Sequence, residues 1–128
     1  MRAALLILIG VSALAGGAFA ADPAAHNSRV KEAIGNTIVQ TYPDGRKAEI
    51  WLKADGAYTG EGRRHDISNG TWRVQGEQIC FHQLHPSLPF GLGKLCRAIP
   101  QVSVGQTWQS KSATGETVTV KLERGRSH

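Results

Sequence analysis

From Asn36 onward apolar and polar residues alternate, and turn residues interrupt the alternation at intervals of roughly ten positions. In KAEIWLK (47–53), Ala48, Ile50 and Leu52 fall on one side of an extended chain and Glu49, Trp51 and Lys53 on the other. That is the period of a strand with one buried face. NTIVQTY before it is β-branched and ends at PDGR, where Pro43 and Gly45 suit a tight turn. GTWRV behind an Asn69-Gly70 turn signal, ICFHQLH, KLCRAI, VSVGQTWQS and TVTVKLE supply further strands. AYTGEGRRHD is broken by glycines and reads as a bulged strand or a strand running into a loop, whereas PSLPFGLG reads as a loop outright. Connections this short exclude the helical crossovers that parallel pairing needs. The pattern predicts an all-β fold: an antiparallel meander of about seven or eight short strands, curled into a half-barrel or small barrel. It spans 36–124, with a tail at 125–128.

Two different patterns come first. Residues 1–20 combine Arg2, an apolar run from Ala3 to Leu14 and a small-x-small site at Ala18-Phe19-Ala20. This is the three-part layout of a cleaved secretory signal, too short for a stable membrane span. The mature chain, 21–128, is then a single β-domain of an exported protein, periplasmic or secreted. In ADPAAHNSRVKEAIGN, Asp22 can cap a helix, Pro23 fits its first turn and Gly35 can close it, while Val30 and Ile34 share a face. A short helix is predicted over 21–35.

Charge narrows the partners. Fifteen basic and ten acidic residues give a net charge of +5, and this excess favours anionic neighbours. The basic residues are scattered and do not form a stripe interleaved with aromatics, so nucleic acid is set aside as a partner.

The candidate chemistry centres on GTWRVQGEQICFHQLH (70–85). Cys80, His82, His85 and Cys96 are of the types that bind zinc or copper. On a strand, however, Cys80 and His82 share a face that His85 does not. No C-x-x-C pair is present. An even cysteine count in an exported chain points to one disulfide, Cys80–Cys96, rather than a metal site. The histidines remain the minor metal alternative, and no cofactor is expected. His65, Asp66 and Ser68 lie close in sequence, but a catalytic triad is recognised by geometry, and no G-x-S-x-G elbow occurs. FGLGK (90–94) departs from the phosphate-cradling G-x-x-x-x-G-K-[ST] pattern, with Leu88 and Leu95 at decisive positions. Enzymatic function is disfavoured on this inventory.

The succession GNTIVQTYPDG, WLKADGAYTGEG and NGTWRVQGEQICF, followed by Cys96, resembles the small secreted bacterial β-domains described as lipocalin-like. The likeness covers roughly residues 35–98. It implies an antiparallel half-barrel with a disulfide and transfers no catalytic residue. Candidate ligand-binding residues are Leu88, Phe90 and Leu92, apolar positions on a loop, and Trp51, which lies on the charged face of its strand. Trp51 is exposed if one sheet face is solvated, or covered by the N-terminal helix or the 86–93 loop. The expectation is a non-enzymatic binding or interaction domain for an apolar or amphipathic small ligand. The alternative is an envelope protein–protein interaction or hydrolase-inhibitor domain.

Overall fold

The computed structural model describes residues 28–126. The expected signal segment, 1–20, and the first part of the expected helix, including Asp22 and Pro23, lie outside the described residues, as do 127 and 128. What is described of that helix is a 3₁₀ segment, Ser28–Ala33, and no α-helix occurs among the described residues. Val30 and Ala33 of this segment are buried.

Eight strands follow: β1 (Thr37–Thr41), β2 (Lys47–Leu52), β3 (Ala57–Glu61), β4 (Ile67–Gln75), β5 (Gln78–His85), β6 (Lys94–Ala98), β7 (Thr107–Lys111) and β8 (Thr117–Glu123). All pairings are antiparallel, in the order β6-β5-β4-β3-β2-β1-β8-β7. The meander therefore wraps until its first and last strands meet, with Ile38 opposite Leu122. The result is a nearly closed barrel, open only where β6 and β7 face each other.

Hairpin chemistry sets the registers. The turns at 42–45, 53–56, 62–65 and 112–115 each place a backbone bond from the fourth residue to the first. Three of them end on a left-handed glycine (Gly45, Gly56, Gly115), the usual solution for a three-residue hairpin loop. In the fourth, that position is His65, at φ +66°.

Two sequence expectations are corrected. Asn69-Gly70 is not a turn: both lie inside β4, at a bulge where the register against β5 shifts. A Cβ at Gly70 would collide with the carbonyl of His82, so glycine here serves a close approach of two strands. The strand expected over VSVGQTWQS begins only at Thr107. Val102 is buried on the preceding loop, where its N–H donates to Arg29 at 2.9 Å, while the N–H of Val104 donates to the Glu32 carboxylate at 3.0 Å. Alternating valines fit a plug as well as a strand.

That plug closes one end. Val30, Ala33, Ile99 and Val102 pack with Leu52 and Leu122 in the core cluster. Arg29 and Gln101 tie the two segments together through bonds to Ile99 and Ser28. The opposite end carries the hairpins β1–β2, β3–β4, β5–β6 and β7–β8.

Candidate functional site

Strand parity sorts the barrel interior along its axis. Ile38, Leu52, Tyr58, Trp72, Ile79, Val120 and Leu122 point inward and form the apolar core. Towards the unplugged end the inward positions become polar or small: Gln40, Ser68, Gln83 and Ser110, with Ala48 and Gly60 between them. Small residues there leave space. A cavity of about 320 Å³ runs down from this end to Ile79 and Ile99. Tyr42, Asp66, Leu88, Leu92 and Ser112 surround its mouth, so all four hairpins of that end contribute.

The two sides of the mouth differ. On one, Arg63 leans over the Tyr42 ring at 4.1 Å and reaches Glu116 at 3.1 Å and Asp44 at 3.6 Å. A single guanidinium thus ties the 62–65 turn to its neighbour and to the 112–116 turn beyond it. Burial holds the Tyr42 phenol above its ordinary pKa; Arg63 opposes the shift, and the smaller effects of the Glu116, Asp66 and Asp44 charges add to it. On the other side lies the 86–93 loop, with Phe90 97% exposed. Deeper in, Tyr58 meets Phe81 edge-to-face at 5.1 Å. Its phenol pKa is raised by burial, with a hydrogen bond to Ser68 working against that rise.

No protein-family model, curated protein or solved structure matches the chain.

Cys80 and Cys96 stand directly opposite each other on β5 and β6 and form a disulfide on the barrel's outer face. It locks the strand pair that ends at the open seam. His82 and His85 are exposed on β5, and among the described residues no group of three or more His, Cys, Asp or Glu is placed to hold a metal ion. His65 bonds Glu61 at 2.8 Å instead of Asp66, and Ser68 points inward beside Tyr58, so the three residues weighed as a triad are not hydrogen-bonded together.

Leu88 and Leu92 line the cavity mouth while remaining substantially exposed. Trp51 is elsewhere. It is only 6% exposed on the outer face, its Nε1 donating to Thr37 Oγ1 at 3.0 Å, and the Thr37 hydroxyl donating to the Gly125 carbonyl at 2.6 Å. Arg126 lies over the indole at 4.2 Å. The C-terminal tail covers it, not the 86–93 loop, and Ile34–Asn36 flank it.

Sequence reasoning did not single out Gln40, Gln83, Ser110 or Arg97. The signal for the first three was present: each shares strand parity with an apolar core residue, Ile38, Phe81 or Trp108. Arg97 gives no such signal. It shares parity with Leu95, but its partners are carbonyls on β7 and the turn beyond.

Proposed function

We propose that this protein is an exported, non-enzymatic, lipocalin-like binding domain that holds a small amphipathic ligand in the unplugged end of its barrel. The observation that carries the reading is the axial gradient of the cavity wall. An apolar floor of Ile38, Ile79 and Ile99 gives way to polar side chains at Gln40, Ser68, Gln83 and Ser110, with Leu88 and Leu92 at one side of the mouth. Such a wall matches a ligand with an apolar body and a polar head facing the mouth. Gln40 and Ser110 make no side-chain hydrogen bond to other described residues, which leaves them available to that head. The cavity is at the small end of the range for ligand sites, about 300–1,000 Å³, so a single chain or compact ring suits it better than a two-chain lipid. Export is supported by the disulfide, a bond that persists in oxidising compartments.

The test is uptake of 1-anilinonaphthalene-8-sulfonate, followed by its fluorescence, in the native protein and in Ser110→Phe. Ser110 faces inward on β7 beside the half-buried Trp108, so a phenyl ring there fills the cavity. The expected result is saturable one-to-one uptake that falls at least about tenfold in Ser110→Phe. Equal uptake by a folded Ser110→Phe contradicts the reading.

A further inference from the structure

We infer that the rim built from Ile67, Leu84 and the 86–93 loop docks on an anionic lipid surface, from which the cavity takes its ligand; this rests on the cavity reading above. Ile67, Leu84, Leu88, Phe90 and Leu92 are the large hydrophobic residues exposed among the described residues, and all five lie at the unplugged end. Ile67 opens β4, Leu84 sits at the bulged end of β5, and the others follow on the β5–β6 loop. Exposed apolar residues scattered singly need no explanation, but a group confined to one rim marks an interaction surface. Phe90 is the extreme case. It is almost fully exposed and its backbone is left-handed, at φ +57°, a conformation that bulky side chains rarely adopt. A residue chosen only to turn the chain there would be glycine or asparagine.

The chemistry of the loop favours lipid. From Pro86 to Gly93 it carries no charged side chain. Pro86 and Pro89 have no N–H to desolvate. The carbonyls of Pro86, Pro89, Gly91 and Gly93 already accept from Gln83 Nε2, Leu92, Lys94 and the Gln83 backbone. Inserting such a tip among lipid head groups and upper chains strands fewer backbone groups than an ordinary loop would. Exposed Lys94 and Arg64 flank the patch. Of the carboxylates at this end, Asp44 and Glu116 are paired with Arg63, with Arg46 also beside Asp44, leaving Glu61, hydrogen-bonded to His65, and Asp66. With a net charge of +5, the balance attracts anionic head groups. Continuity with the cavity decides between a lipid surface and a protein. Leu88 and Leu92 belong both to the exposed tip and to the cavity wall. A bilayer seated on the tip meets the mouth of the cavity, whereas a protein seated there would cap it.

The experiment is co-sedimentation of the purified protein with vesicles of phosphatidylglycerol and phosphatidylethanolamine, and with vesicles of phosphatidylcholine alone. It is run on the native chain and on Phe90→Gly/Leu92→Ser, which shares the same N-terminus, so residues 1–27 contribute equally to both. Phe90→Asn alone, which suits a left-handed backbone, replaces the double variant if that variant fails to fold. Binding to the anionic vesicles is expected to exceed binding to phosphatidylcholine and to fall at least about fivefold in the loop variant. The loop variant should keep its melting temperature, and Phe90→Asn, whose side chain lies outside the cavity wall, should keep its dye uptake in solution. No binding to anionic vesicles, or equal binding by the loop variant, overturns the proposal even if dye uptake is intact. Failure of the cavity reading shows separately, as loop-dependent vesicle binding by a protein that takes up no dye.

Discussion

The Arg97 guanidinium on β6 donates to the carbonyl of Ser112 at 2.8 Å, across the only gap in the described barrel. Its Nε donates to the neighbouring carbonyl of Lys111 at 2.9 Å and its other terminal nitrogen to Cys96 at 3.1 Å. One side chain thus stands in for a missing backbone ladder. Three donors in a rigid plane can do this, and a lysine ammonium cannot reproduce the fork.

Arg97→Ala should therefore cost about 1–3 kcal/mol, the scale of hydrogen bonds from a charged group. It should also leave the β6 and β7 edges free to pair with another chain. Urea unfolding should show a lower midpoint, and size-exclusion chromatography at rising concentration should show a dimer. Arg97→Lys should recover little. An unchanged midpoint and a monomeric Arg97→Ala would mean that the seam is held by packing alone.

The disulfide acts on the same strands from outside. Cys80 and Cys96 are 16 positions apart, so Cys80→Ser/Cys96→Ser should lose about 3 kcal/mol on the chain-entropy estimate. Both residues lie on the outer face, away from the cavity lining. Below its lowered melting point, the variant should still take up the dye, and thermal unfolding with and without reductant checks the first part.

His65 occupies a left-handed position that glycine fills in the three equivalent turns. Its side chain is 87% exposed, and its contact with Glu61 is a surface pair of little worth. Relief of the backbone outweighs the greater freedom of glycine in the unfolded chain, so His65→Gly should stabilise the fold by about 0.5–1 kcal/mol. A melting temperature that rises by a few degrees is the expected result.

Tyr58 provides a pH signature. Burial raises its phenol pKa in the folded protein, so the unfolded chain loses that proton first. Its contribution to stability is intact below the unfolded value of 10.0 and is lost as pH climbs from there through the folded pKa. Tyr42 shifts in the same direction, with burial again the largest cause. Tyr58→Phe keeps the ring against Phe81 and should flatten the decline in melting temperature above pH ~10 without removing it.

Much of the barrel is legible in local pattern. Ala48, Ile50 and Leu52 face inward as their alternation requires, and the Pro43-Asp44-Gly45 and Asp55-Gly56 turns fall where their residue types predict. Cys80 and Cys96 pair as cysteine arithmetic suggests. What is not legible depends on partners distant in sequence. Asn69-Gly70 has the composition of a turn, and only the approach of the His82 carbonyl explains why the glycine lies within a strand. Val102 and Val104 alternate like strand residues, yet their N–H groups are taken by Arg29 and Glu32, about seventy positions away. Trp51 is covered by a tail at the far end of the chain. The cavity lies between these cases. Gln40 and Gln83 carry the inward parity of Ile38 and Phe81, so polar residues inside the barrel could be read from the strands. That they converge at one end required the register.

The most direct test of a ligand-holding cavity is residue-resolved NMR of the native protein titrated with decanoate, a single-chain probe with a polar head. Such a cavity predicts saturable amide shift changes centred on Ile50, Tyr58, Phe81 and Trp108, with the plug residues Val30 and Val102 unmoved. Shifts confined to the outer faces of the strands, or no shifts at all, would contradict it.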